Sequence, residues 1–130
     1  MNISKIHHVA IISSNYEVSK DFYVNKLGFQ VIREIYRKER NSYKLDLKIG
    51  DSQIELFSFE NPPKRPSYPE ACGLRHLAFE VPNIEIAVKE LNSKEIKTEP
   101  IRVDEFTSMK FTFFSDPDGL PLELYEATNL

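Results

Sequence analysis

Four residues carry the chemistry open to this chain. His8 and His76 stand 68 residues apart, and so do Glu55 and Glu123. Each histidine borders an apolar run, Val9-Ala10-Ile11 in one case and Leu77-Ala78-Phe79 in the other. Each glutamate is flanked by branched apolar residues, Ile54 and Leu56, then Leu122 and Leu124. Singly these residues have ordinary explanations. A strand glutamate usually points to water, and a lone strand histidine is usually structural. As a set they are different. Two imidazoles and two carboxylates suit a divalent ion, neutralise its charge, and leave positions open for water or substrate. A site open in that way is catalytic rather than structural. The condition is that two related halves bring equivalent residues to one pseudo-twofold axis.

The sequence meets that condition in its repetition. At the same offset Asn15 falls on Asn83, Glu17 on Glu85, and Ile54-Glu55-Leu56-Phe57 on Leu122-Glu123-Leu124-Tyr125. Residues 6–13 alternate as a strand, with His8 on the face of Ala10 and Ile12 and His7 on the other. Ser14 and Glu17 form a capping box that opens a helix with an apolar face of Val18, Phe22 and Tyr23, ended by Gly28. Strands are expected over 29–36, 43–49 and 53–58, with Gly50-Asp51 as a turn. The second half repeats this order: a strand over 74–81, a helix capped by Asn83 with Ile84, Val88 and Leu91 on one side, and strands over 97–103, 106–115 and 121–125. Asp116-Pro117-Asp118-Gly119 is a strong turn signal. The reading is therefore α+β, with βαβββ written twice. Module 1 covers about 1–60 and module 2 about 74–130 of a single domain spanning 1–130. Between them, residues 59–73 carry Pro62, Pro63, Pro66 and Pro69, which exclude helix and central strand.

Composition narrows the class. A chain of 130 residues, 41% hydrophobic, can bury a real core. The mean hydropathy is -0.40 and residues 9–12 form one of the longest apolar runs, so no transmembrane helix is expected. The N-terminus lacks the pattern of a signal peptide. A net charge of -3 argues against nucleic acid as a partner. One cysteine, Cys72, excludes an intrachain disulfide and CxxC chemistry, so a cytoplasmic protein is expected.

The strings His8-Val9-Ala10-Ile11, Ile54-Glu55-Leu56, Arg75-His76-Leu77-Ala78-Phe79 and Asp116-Pro117-Asp118-Gly119 before Leu122-Glu123-Leu124 resemble the vicinal oxygen chelate superfamily. Within it the chain resembles the glyoxalase I (lactoylglutathione lyase) family. It is also similar to the short bacterial YaeR-type glyoxalase-like proteins, through Ile54-Glu55-Leu56-Phe57-Ser58-Phe59 and Glu70-Ala71-Cys72-Gly73-Leu74-Arg75-His76. The resemblance implies paired βαβββ modules in a curved half-barrel, the glyoxalase/bleomycin-resistance/dihydroxybiphenyl dioxygenase fold. It implies metal ligands at His8, Glu55, His76 and Glu123, holding one divalent ion (Ni or Zn foremost; Co, Mn or Fe in other branches). It also implies a homodimer acting on a small-molecule substrate. The implied reaction moves a proton between adjacent oxygen-bearing carbons of a carbonyl or hemithioacetal through a metal-bound enediolate. Glu123 is the candidate base, with Glu55 as the alternative.

The chain departs from the family at two places. Bacterial glyoxalase I carries an arginine four residues after its first ligand histidine and an asparagine four residues after its first ligand glutamate; here these are Ile12 and Phe59. Both anchors of the glutathione part are lost, which puts the substrate rather than the metal site in question. Competing readings are a non-catalytic antibiotic-binding dimer, a fosfomycin-type thiol transferase and a methylmalonyl-CoA-type epimerase. The full ligand set disfavours the first, and Glu55 the second. The run Tyr36-Arg37-Lys38-Glu39-Arg40 reads as a solvated hairpin end, with an anion-holding role as the alternative. Lys110 reads as strand-exposed, with the same alternative.

Overall fold

The computed structural model describes residues 1–127. The chain divides into two units, Met1–Lys64 and the part from Arg65 onward. In the first, β1 (His8–Ser13) leads into α1 (Tyr16–Lys20), which continues as a π-helical turn over Asp21–Lys26. β2 (Gln30–Arg37), a 3₁₀ turn (Lys38–Arg40), β3 (Ser42–Ile49) and β4 (Ser52–Ser58) follow. The second unit has β5 (Leu77–Val81), α2 (Ile84–Ser93), β6 (Arg102–Val103), β7 (Lys110–Ser115) and β8 (Pro121–Glu126). Each unit is an open four-stranded sheet, ordered β1-β4-β3-β2 and β5-β8-β7-β6. The first and last strands of each pair in parallel, and the rest are antiparallel. The α+β βαβββ reading holds in both.

One face of each sheet is apolar and covered by helix. Ile11, Leu45, Leu47, Ile54 and Leu56 are buried in the first unit with Tyr16, Phe22 and Tyr23 of the helical segment, which packs on β4. Leu122, Leu124, Phe114 and Thr112 are buried in the second with Ile84 and Leu91 of α2, which packs on β8. Strand alternation then turns the other face of each sheet, the one bearing the glutamates, away from the core.

Several local expectations are corrected. The α1 cap is Asn15, not Ser14: the Asn15 side chain accepts from the Val18 amide, and the helix begins at Tyr16. Val18 is exposed and Ser19 is buried, because with the helix starting at Tyr16 the buried stripe runs through Tyr16, Ser19 and Tyr23; beyond it the helix widens, and the Leu27 amide bonds the Phe22 carbonyl. Gly28, at φ 79°, ends it as expected. His76 lies just before β5 rather than inside it. Residues 106–109 are a turn rather than strand: the Asp104 carboxylate accepts from the Phe106 amide, and Asp104 and Met109 close the loop. Asn83 caps α2, accepting from the Ile86 amide at 3.0 Å. Asp116 holds the last turn, accepting from the Asp118 and Leu120 amides. Among the described residues no helix is long and apolar enough to cross a membrane.

A polar clamp ties α1 to β2. Glu34 accepts from the Tyr16 hydroxyl and, at 2.8 Å, from Lys20. The Lys20 bond, then the Tyr16 bond, hold the Glu34 carboxyl below its ordinary value of 4.5. Burial first, and then Glu34, push the Tyr16 hydroxyl above its ordinary 10.0. The clamp therefore stabilises the fold above pH 4.5 and below pH 10.0, and fades on either side. We expect Glu34→Gln to lower Tm by about 1–4 °C at pH 7, with the difference from the parent shrinking at pH 3. A thermal melt series across pH reads this directly.

Candidate functional site

Parallel pairing sets the geometry in the first unit. β1 and β4 lie side by side with His8 opposite Gln53 and Ala10 opposite Glu55. His8 and Glu55 thus share a face one step apart, and His8 Nε2 comes 3.6 Å from Glu55 Oε2. The second unit repeats the arrangement with Ala78 opposite Glu123. His76 Nε2 lies 3.1 Å from Glu123 Oε1. Both glutamates are largely shielded, with side-chain exposures of 15% and 12%, while the histidines keep 42% and 30%.

The donor set fits a divalent metal. An ion bound at about 2.1 Å places neighbouring donors about 3.0 Å apart at right angles and about 3.4 Å apart in a tetrahedron. The two His–Glu separations, 3.1 and 3.6 Å, each lie within about 0.2 Å of one of those values. Each unit by itself supplies one imidazole and one carboxylate; among the described residues, neither gathers three His, Cys, Asp or Glu side chains into a site of its own. Of the four predicted ligands, then, His8 is brought to Glu55 and His76 to Glu123.

The surroundings of the two pairs differ. His7 precedes β1, so strand alternation does not govern it, and its Nδ1 lies 3.0 Å from His8 Nδ1 rather than on the opposite side. One ring donates and the other accepts. With the proton on His8 Nδ1, its Nε2 is left with the lone pair a metal requires. Across from Glu55 on β3 stands Asp46, a like charge in the directly opposed position. Asp46 is 2% exposed and accepts from Lys44 at 2.7 Å and Arg33 at 3.1 Å. Burial would raise its carboxyl, but these two bonds outweigh burial and hold it below the usual range. Lys44 also reaches Glu55 at 3.7 Å, so one ammonium serves both carboxylates. A bulge in β2 between Val31 and Arg33 brings Arg33 opposite Asp46. In the second unit the residue across from Glu123 is Phe113, whose ring meets His76 edge-on at 5.1 Å. Among the described residues the Glu123 carboxylate has no ion-pair partner besides His76.

Sequence reasoning missed Lys44, Asp46 and His7. The first two were legible as charged residues alternating with Leu45 and Leu47 on β3. His7 was not, because its position depends on where β1 begins. Lys110 is no anion anchor; it pairs with Glu85 at 2.7 Å. Arg75 pairs with Glu70 at 3.1 Å on the surface.

An open βαβββ sheet repeated twice, each bearing one His–Glu pair, defines a class. The chain belongs to the glyoxalase/bleomycin resistance protein/dioxygenase superfamily, whose sequence pattern matches residues 5–124. It is 64% identical to YwkD of Bacillus subtilis (strain 168) and 58% identical to YaeR of Escherichia coli (strain K12). Each alignment covers 97% of this chain, with 99% of the first relative and 98% of the second. Both are uncharacterized proteins, so they establish the family and carry no reaction. A solved glyoxalase family protein from Enterococcus faecalis is 60% identical, with a TM-score of 0.91 over 97% of this chain and all of that one. More distantly, the chain is 31% identical to the human mitochondrial methylmalonyl-CoA epimerase over 75% of its length and 57% of the epimerase.

The shared ammonium gives a prediction. Lys44→Met leaves two opposed carboxylates with one cation fewer, and stability should fall by about 1–3 kcal/mol. Lys48→Met, at an exposed position four residues on, should change it by less than about 0.5 kcal/mol. Urea denaturation of the two variants makes the comparison.

Proposed function

We propose that this chain is a metal-dependent lyase or isomerase of the glyoxalase type, in which His8, Glu55, His76 and Glu123 together hold one divalent ion. The observation that carries the reading is the twofold occurrence of an imidazole and a carboxylate at ligand-like separation at equivalent places in the two units. Softness of the donors favours Ni or Zn, with Co, Mn or Fe as substitutes. When bound, the ion supplies Lewis-acid polarisation of two neighbouring substrate oxygens. The chain's own residues do the rest. Glu123 takes a proton from a carbon beside a carbonyl and returns it to the adjacent carbon. Glu55 is the less suited of the two, since Lys44 already draws on its carboxylate. Phe113 keeps one side of His76 apolar and fixes its ring. The similarity to an epimerase, by name an isomerase, supports proton transfer over group transfer. The substrate is a small carbonyl compound or hemithioacetal. Homodimerisation and a cytoplasmic setting belong to the same proposal.

Elemental analysis of tag-free protein tests the site. About one divalent ion per chain is expected, falling sharply in Glu55→Ala and His76→Ala. Methylglyoxal with a panel of thiols then serves as the assay. Glu123→Gln should lower turnover by about 100-fold or more while some metal is still bound. A parent that takes up no Ni, Zn, Co or Mn would end the lyase reading and leave a small-molecule binding protein in its place.

A further inference from the structure

Two arginines in this chain lie over paired phenylalanine rings, and they differ in one respect. Arg102 sits 4.9 Å from the Phe111 ring centre and 5.9 Å from that of Phe113, and its Nη2 meets Glu99 at 3.1 Å. Arg37 sits 4.8 Å from Phe57 and 5.6 Å from Phe59, but among the described residues no carboxylate meets it. Its guanidinium donates once, from Nη2 to Ser42 Oγ at 2.8 Å, and its Nε is buried with no hydrogen-bond partner. Two ring faces offset part of the cost of a half-buried cation, but they do not neutralise it.

The position of Arg37 is built rather than incidental. Ser42 Oγ, which accepts from Arg37, donates to the Ser58 carbonyl. Phe57 and Phe59 stack 6.0 Å apart. The turn after Arg37 is tied down by Asn41, at φ 48°, which accepts from the Tyr36 hydroxyl and donates to Glu60. That turn and Arg37 border an open surface depression of about 500 Å³ lined by Arg37, Lys38, Glu39 and Arg40, three cations against one carboxylate. By register Arg37 lies on the same sheet face as Arg33, Asp46 and Glu55. Phe57, under its guanidinium, is two positions along β4 from Glu55, about 7 Å.

We propose that Arg37, with Lys38 and Arg40, forms an oxyanion subsite that takes a carboxylate or phosphate group of the substrate and so holds its reacting carbons on the Glu55 face. The assignment of this anion to a substrate rests on the metalloenzyme reading above; the binding of the anion does not. A planar fork over aromatic rings is the geometry in which arginine grips such groups.

The test uses the full chain stripped of metal, with inorganic phosphate and malonate titrated separately at constant ionic strength. Calorimetry and the arginine Nε–Hε NMR signals report binding. Saturable binding with a shift of the Arg37 signal is expected, and Arg37→Gln should weaken it at least about tenfold. Arg102→Gln, which dismantles the other stack, should leave it unchanged. The tighter of the two probes assigns the class, phosphoryl or carboxyl. If Arg37→Gln does not fold, the Lys38→Gln/Arg40→Gln double variant on the exposed turn reads the same site and should weaken binding severalfold. Equal affinity in parent and variants, or no saturable binding of either probe, overturns the proposal. Anion binding without metal uptake upholds the subsite and fails the metal reading; metal uptake without anion binding does the reverse.

Discussion

Parallel pairing of the first strand of each unit with its last is the constraint on which the rest of the structure depends. The helix carries the chain from β1 across to the far strand, and an antiparallel meander of β2, β3 and β4 brings it back beside β1. A residue near the start of the first strand therefore meets a residue near the middle of the last, across more than forty positions of sequence. His8 finds Glu55 in this way, and His76 finds Glu123. The helix also settles which face is available. It buries the leucines and isoleucines of one face, so the glutamates one position away are turned to the other.

The parts of this arrangement legible in the sequence are those set by local periodicity. Ile54-Glu55-Leu56 and Leu122-Glu123-Leu124 alternate, and alternation alone places each glutamate on the face opposite the leucines. Asn83, Gly28 and the Asp116 turn behaved as their side chains dictate. The failures lie where a choice was set by neighbours rather than by the residue. Ser14 and Asn15 are both good caps, and the strand's exit decides between them. The helix face that buries Ser19 rather than Val18 follows from where the helix starts, and the π turn after it leaves no mark in composition. The β2 bulge that puts Arg33 on Asp46 is a register event, invisible to alternation. Residues 97–101 carry β-branched side chains yet form no strand, and β6 shrinks to Arg102–Val103.

The matched placement of the two His–Glu pairs hides a chemical difference. Strand arithmetic makes Glu55 and Glu123 equivalent, but the residues opposite them are not: Asp46 in one unit, Phe113 in the other. Asp46 brings Lys44 and Arg33 with it, so Glu55 stands in a network of fixed charges. Glu123 stands beside rings. A carboxylate that must exchange a proton works best when it is not already committed to an ammonium, whereas one that only ligates gains from being held in place. The two units thus supply matching donors, and under the proposed reaction the difference opposite them would give positioning to Glu55 and proton transfer to Glu123.

At the two positions where bacterial glyoxalase I carries arginine and asparagine, this chain has Ile12 and Phe59. Both side chains are exposed apolar groups, 53% and 37% accessible. Neither can hold a charged substrate end. Phe59, however, is one of the two rings beneath Arg37, and an asparagine there would offer that guanidinium no aromatic face. Ile12 lies directly across from Phe57, the other ring, and keeps that side of the stack apolar. Against the bacterial glyoxalase I pattern, then, this sheet has no arginine at position 12 on β1; its ring-stacked guanidinium is Arg37 on the far strand, over the phenylalanine that stands where that pattern has asparagine. A substrate bound by such a face would carry its negative charge along the sheet from Glu55, toward the β2–β3 turn, rather than beside His8.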